Sequence, residues 1–177
     1  MTSAILVNGV PASGKSRVAR QIAGAGGWPL LALDTVKEAL FAHLGAGDRE
    51  HNRRFGRASY QAMFAVAGDW PPGSTAVIDA WFGFQPPEVL AGHIARAGLT
   101  RIAEVWCHAP PEVIGERYRS RLSSRSIGHL GADYIPELIA LAERAKPLGQ
   151  WPVLHVDTTK PFQAEAALNW IKTALGG

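Results

Sequence analysis

The strongest constraint on this chain is an eight-residue stretch near its start. Gly9-Val10-Pro11-Ala12-Ser13-Gly14-Lys15-Ser16 follows the apolar run Ala4-Ile5-Leu6-Val7 and fits the spacing G-x-x-x-x-G-K-[ST] of a phosphate-binding P-loop. Each residue type has a chemical reason. Gly9 and Gly14 accept backbone angles that a Cβ would forbid, so the loop can curl and turn several N–H groups inward at an anion. Lys15 adds a point positive charge for the outer phosphates, and Ser16 offers a hydroxyl to a magnesium ion. Arg17 to Ala23 reads as a helix whose positive N-terminal end faces the same phosphates. Ordinary residue frequencies produce this spacing by chance in about one chain in a hundred of this length.

Four further apolar segments read as strands after Ala4–Asn8: Pro29–Leu33, Thr75–Ala80, Arg101–Cys107 and Val153–Asp157. Their continuous rather than alternating apolar character fits strands covered on both faces. Helical stretches lie between them: Thr35–Leu44, Asn52–Gly68, Pro86 to about Ala97, Glu112 to about Ser123, Asp133–Lys146 and Gln163–Leu175. The Ser/Gly-rich stretch Ser123–Gly131 reads as a loop. The alternation predicts an α/β fold with a mainly parallel sheet. At 177 residues the chain suits one domain over 1–177, and no linker divides it.

Composition narrows the function classes. Hydrophobic residues at 47% and charged residues at 19% describe an ordinary globular protein. A net charge of +3 is too small to argue nucleic-acid binding from bulk charge. A single cysteine, Cys107, excludes an intrachain disulfide and a Cys-cluster metal site, and reads as core packing at a strand end. Met1-Thr2-Ser3 fits no signal peptide, and no apolar run approaches the ~20 residues needed to cross a bilayer. The expected location is the cytoplasm, with no membrane partner.

Several residues outside the loop are candidates for chemistry. Asp34 sits where the second strand should end, on the rim where parallel sheets gather ligands. A carboxylate there can accept a proton from a substrate hydroxyl or hold a metal through water; it also suits the plainer role of helix cap. Asp79 ends Ala76-Val77-Ile78-Asp79, the Walker-B pattern whose carboxylate helps position magnesium. Of Trp81, Phe82 and Phe84, at least two are expected in the core. Arg117, Arg121 and Arg125 are spaced by four and share one face if helical, a pattern that suits a clamp on transferring phosphate as well as a solvated basic face. Arg49, Arg53, Arg54 and Arg57 form a second basic cluster, from which sequence does not choose the inward member. Lys37 and Glu38 read most simply as surface residues of the helix after Asp34, the other reading of Lys37 being an approach to the acceptor site, and His129 reads as a plain loop histidine, its other reading being to help close over ATP.

These residues together give the chain a resemblance to the P-loop small-molecule kinases, within the AAA-type P-loop NTPases. It is similar to the group that joins zeta-toxin-like kinases, chloramphenicol-phosphotransferase-like enzymes, gluconate-kinase-like enzymes and the kinase domain of polynucleotide kinases. The residues that carry the resemblance are Asn8 through Ser16, Leu33-Asp34, Val77-Ile78-Asp79-Ala80 and Glu116-Arg117-Tyr118-Arg119-Ser120-Arg121. It implies a three-layer fold whose five-stranded parallel sheet has the order 2-3-1-4-5, with helices on both faces. It also implies ATP with Mg2+, an acceptor region at about 35–70 and a helical lid at about 117–133. By the same resemblance Asp34 orients or deprotonates the accepting hydroxyl, Lys15, Arg117 and Arg121 stabilise the transferred group, and Ser16 and Asp79 serve the metal. Gly9 through Arg17, Arg121 and Arg125 would hold the nucleotide phosphates, and Thr158, after the last strand, would lie where adenine rests. Asp79-Ala80-Trp81-Phe82-Gly83 departs from the Asp-Gly-Phe/Tyr-Pro-Arg of nucleotide monophosphate kinases. No Asn-Lys-x-Asp guanine-reading motif is present, and the chain is too short for an ordinary AAA-type ring module.

The expected function is transfer of phosphoryl from ATP to a hydroxyl of a small molecule. Three alternatives stand beside it. A 5′-hydroxyl nucleic-acid kinase would grip a backbone with Arg49–Arg57 and show steep salt dependence. A zeta-toxin-like nucleotide-sugar kinase would be toxic on expression, with relief by Asp34→Asn. A non-catalytic nucleotide-binding regulator would tolerate that same substitution. Sequence names neither the acceptor nor the oligomeric state.

Overall fold

The computed structural model describes residues 2–45, 47–124 and 130–176. Five parallel strands, β1 (Thr2–Asn8), β2 (Leu30–Ala32), β3 (Thr75–Ala80), β4 (Leu99–His108) and β5 (Val153–Asp157), form one sheet in the order β2-β3-β1-β4-β5. Among the described residues the helices are α1 (Lys15–Gly26), α2 (Leu33–Leu44), α3 (Arg49–Gly68), α4 (Pro87–Arg96), α5 (Pro111–Ser120), α6 (Ile135–Arg144) and α7 (Ala164–Ala174). This is the three-layer arrangement and strand order that the family resemblance implied.

The period of two along β1 divides the core. Ala4 and Leu6 face α3 and α4, packing with Tyr60, Met63, Phe64, Leu90 and Ile94. Ile5 and Val7 face α1 and α7, packing with Val18, Ile22, Ile171 and the buried Cys107. Burial pushes the Cys107 thiol up to about 12, so it is an inert packing group, as expected. A third cluster, of Val10, Ala12, Ala109, Ile114, Tyr118, Ile135 and Leu138, fixes α5 and α6 above the carboxyl end of the sheet.

Some boundaries differ from the sequence reading, with local reasons. β2 ends at Ala32, and α2 begins at Leu33, with Ala32 at its cap position. No side chain caps α2, so Asp34 lies inside the first turn and is not the cap. α3 starts at Arg49 rather than Asn52 because Asp48 accepts a 2.8 Å bond from the His51 N–H. α5 stops at Ser120 instead of about Ser123. The Ser120 hydroxyl donates to the Arg117 carbonyl at 3.1 Å, and the Arg121 N–H closes a tight turn on Tyr118. Of the three arginines expected on one helical face, Arg117 lies in α5 and Arg121 is the residue that follows it; Arg125 lies outside the described residues, as does His129.

Candidate functional site

The P-loop joins β1 to α1 with the backbone its glycines were expected to allow. Gly9 has φ +155°, and a Cβ there would stand 2.4 Å from Ser13 Oγ and 2.5 Å from the Cys107 carbonyl. Gly14 has φ +87°, and a Cβ would meet Thr158 at 3.1 Å. Ala12 also adopts positive φ, 64°, which its side chain gave no means to foresee. Pro11, Ala12, Gly14, Lys15, Ser16 and Arg17 line a cleft above the sheet. Ser13 is fully buried, with its Oγ unpartnered among the described residues.

The entry to the loop is held by a buried polar pair. Asn8 Oδ1 accepts from the Gly9 N–H at 2.8 Å and from the Phe82 N–H at 3.1 Å. Asn8 Nδ2 donates to Glu104 Oε1 at 2.7 Å, and Glu104 also accepts from the Leu148 and Gly149 N–H groups at 3.0 and 3.2 Å. One amide thus fixes the start of the P-loop relative to the 3-10 turn Phe82–Phe84. Sequence reasoning passed over Glu104, although a lone carboxylate inside the apolar run Ile102-Ala103-Glu104-Val105 is a visible signal.

Asp79 stands next to Val7 and Ala32 in the sheet register, with its side chain buried beneath the cleft. Burial raises its carboxyl above the ordinary carboxylate range. Lys15 and a hydrogen bond from Ser16 pull it back, Asp34 adds to the rise, and Arg20 lowers it. Its Oδ1 has no hydrogen-bond partner among the described residues. An orphaned carboxylate oxygen beside a serine hydroxyl and a phosphate cradle fits a Mg2+ held largely by phosphate and water. The described residues contain no group of three or more His, Cys, Asp or Glu for a metal, so the fit rests on Ser16 and Asp79 with ligand oxygens.

The cleft, of about 700 Å³, continues from Lys15, Ser16 and Asp79 across Asp34 to the facing sides of α2 and α3. Asp34, Lys37 and Glu38 share one face of α2 and all three line the cleft. From α3 come Asn52, Arg53 and Gly56. The inward arginine is therefore Arg53: Arg49 binds Glu137 at 2.7 and 2.9 Å, and Arg57 binds Glu50 at 2.8 Å. Of the three aromatics, Phe82 is fully in the core, Trp81 packs partly buried against the third cluster while also lining the cleft, and Phe84, 37% exposed, lines the cleft. The 3-10 turn Phe82–Phe84 sets its first residue into the core and its last toward the cleft. Arg20, Tyr118 and Tyr134 also line it and were not foreseen.

On the other side, Arg121 lines the cleft but Arg117 does not reach it. Arg117 donates to Thr158 Oγ1 at 2.9 Å and to the Thr158 carbonyl at 3.0 Å. Thr158 Oγ1 in turn contacts the carbonyls of Ser13 at 2.7 Å and His108 at 3.1 Å. The loop after β5, the P-loop and α5 are thereby tied at one hydroxyl. Beyond it, Asp157 accepts from the Thr159 hydroxyl and N–H, which hold its carboxyl down to about 2. Tyr118 donates to the Leu130 carbonyl at 2.7 Å, anchoring the far end of the expected lid, whose 125–129 stretch lies outside the described residues.

A family model described as AAA domain matches residues 5–130. The chain belongs to this family of P-loop NTPases. The fold implies nucleotide binding, and its solved neighbours have kinase-like architecture. A protein of Chloroflexus aurantiacus, provisionally named a kinase, aligns at a TM-score of 0.82 with 26% identity over 98% of each chain. Shikimate kinase from Bacteroides thetaiotaomicron aligns at 0.59, with 16% identity over 99% of each chain. Kti12 of Chaetomium thermophilum, in complex with ADP-AlF3, aligns at 0.68, with 17% identity over 98% of this chain and all of that one. No curated protein matches the chain. No helix among the described residues is long and apolar enough to cross a membrane.

Proposed function

We propose that this protein is an ATP-dependent kinase that transfers the γ-phosphoryl group of ATP to a hydroxyl of a small molecule. The observation that carries the reading is the continuity of the cleft. One space joins the P-loop residues Lys15 and Ser16 to Asp34 and to a second, polar half between α2 and α3. A site that only held nucleotide would not need that second half.

In this reading the P-loop from Gly9 to Ser16, with Arg17, cradles the phosphates, and Thr158 borders the adenine side. Asp34 receives the proton of the accepting hydroxyl as its oxygen bonds to the γ-phosphorus and the bond from that phosphorus to the bridging oxygen breaks, releasing ADP. Lys15 and Arg121 balance charge on the transferred group, with Arg125 as a further lid cation. Arg117 spends two of its donors on Thr158 and so braces the nucleotide side. Ser16 and Asp79 would hold Mg2+, which supplies neutralisation of phosphate charge when bound. The reaction belongs in the cytoplasm, where ATP is abundant. The pairing of Arg49 and Arg57 with acidic side chains favours a small acceptor over a nucleic-acid backbone.

The test is ADP release across sugars, hydroxy acids, nucleosides, aminoglycosides, chloramphenicol and 5′-hydroxyl oligonucleotides. Turnover of one small acceptor is expected to change little with salt, to vanish in Lys15→Ala and to fall by at least a hundredfold in Asp34→Asn with ADP affinity retained. Absence of ATP binding at millimolar concentration, together with an unchanged Lys15→Ala protein, refutes the reading.

A further inference from the structure

Thr158 is 3% exposed and does not itself line the cleft, yet three segments meet at its hydroxyl. The Arg117 guanidinium donates to Thr158 Oγ1 at 2.9 Å, and Oγ1 stands 2.7 Å from the Ser13 carbonyl oxygen and 3.1 Å from that of His108. A threonine hydroxyl has one hydrogen to give, and a guanidinium can only donate. Arg117 therefore occupies a lone pair and leaves the hydrogen for a carbonyl. The His108 oxygen already receives the Thr158 N–H at 2.9 Å, so the nearer Ser13 oxygen takes it. The hydroxyl then has no hydrogen left for a ligand.

This bond fixes the peptide between Ser13 and Gly14. A trans peptide is planar, with its N–H directed opposite to its C=O, and no peptide among the described residues is cis. Holding the Ser13 carbonyl toward Thr158 turns the Gly14 N–H away from Thr158. Gly14 has Thr158 on one side, where a Cβ would meet it at 3.1 Å, and it lines the cleft. Its N–H so joins the donors of the phosphate cradle. Among the described residues no backbone acceptor takes that N–H, and no side chain caps the start of α1. The peptide also needs holding. Glycine accepts φ of either sign, so the Ser13–Gly14 unit can turn over with little steric resistance. Turned over, it would point a carbonyl oxygen at the phosphates in place of a donor.

We propose that Thr158 is a positioning residue of the phosphate site: its hydroxyl, directed by Arg117, holds the Ser13 carbonyl outward and so keeps the Gly14 N–H turned toward the phosphates. This rests on the nucleotide-binding part of the kinase reading above. The probes are Mg2+–ADP and Mg2+–tripolyphosphate, which has neither base nor sugar, with binding followed by calorimetry. Thr158→Val keeps the shape and removes the hydroxyl; it should weaken both probes about tenfold. Thr158→Ser restores the hydroxyl and should bind both within about twofold of wild type. In 1H–15N spectra, tripolyphosphate should move the Gly14 amide proton downfield in wild type and Thr158→Ser, and leave it near its free position in Thr158→Val. Arg117→Ala frees the hydroxyl to turn to His108 and should weaken both probes about threefold or more. If Thr158→Val does not fold, Arg117→Ala decides. Tripolyphosphate affinity untouched by Thr158→Val or by Arg117→Ala, a loss confined to ADP, Thr158→Ser as weak as Thr158→Val, or wild type that binds ADP but not tripolyphosphate overturns the proposal. Wild type that binds neither probe would instead overturn the nucleotide reading, so the two failures are distinct.

Discussion

Replacing Asn8 by aspartate changes one atom type at the centre of the site and leaves the shape intact. Asn8 and Glu104 are fully buried, and the Asn8 amide nitrogen lies 2.7 Å from Glu104 Oε1. In Asn8→Asp an oxygen takes the nitrogen's place, so two buried carboxyls face each other at contact distance and cannot both ionise without large cost. At low pH a proton between them restores the contact. The other new oxygen still accepts from the Gly9 and Phe82 N–H groups, as Oδ1 does now. The unfolded chain has no such pair, and its carboxyls titrate near 4. Above that pH the folded variant therefore holds a proton that the unfolded one has lost. Its stability falls relative to wild type by about 1.4 kcal/mol per pH unit until the folded pair gives the proton up. For a like-charge displacement of two to three units the loss reaches about 3–4 kcal/mol near pH 7, or roughly 6–16 °C in Tm for a domain of this size. The assay is urea and thermal unfolding of wild type, Asn8→Asp and Asn8→Ala at pH 5 and pH 8. The alanine variant should lose about 2–4 kcal/mol with a weaker pH dependence than Asn8→Asp, because it removes one donor from Glu104 and adds no second carboxyl. A deficit for Asn8→Asp that is the same at both pH values, or below about 1 kcal/mol at pH 8, would refute the account.

Other expectations follow from single contacts. Burial raises the Asp79 carboxyl, so this group favours folding below its unfolded value of 3.8 and opposes it as pH rises toward its folded value. Asp79→Asn should raise the Tm of the nucleotide-free protein at pH 7 but not near pH 4, and should weaken Mg2+-dependent nucleotide binding in calorimetry. Arg117→Ala removes two bonds to Thr158 and should cost about 1–3 kcal/mol; amide exchange at Thr158 should quicken while the sheet strands stay protected. Burial, with Arg96 nearby, lowers the His93 imidazole below the ordinary histidine value of 6.5, so its contribution is present above that value and is lost as pH falls through it toward the folded value. In His93→Phe the difference in stability between pH 7.5 and pH 5 should shrink, as read by urea titration.

What sequence determined was local. The P-loop is legible because its information lies in eight consecutive residues: glycine torsions, a lysine, a hydroxyl and the helix that follows. The five apolar runs are equally local, because burial on both faces of a parallel sheet leaves a continuous pattern in each strand. Asp79 was readable as the residue that ends such a run at the ligand-gathering edge.

Tertiary structure decided whatever depends on which side of an element faces which neighbour. Nothing within Arg49–Arg57 separates Arg53 from its fellows; the rotation of α3 about its axis does, together with Glu137, 88 positions away from Arg49. Asn8 meets Glu104 across 96 positions, and Arg117 meets Thr158 across 41, pairings that no local period encodes. Phe84 faces the cleft while Phe82, two residues earlier, is buried, because a 3-10 turn redirects the chain after β3. The donor half of the site was readable because one short segment builds it by itself. The acceptor half was not, because it is the gap between α2, α3 and the turn after β3, and a gap belongs to the packing of elements rather than to any one of them.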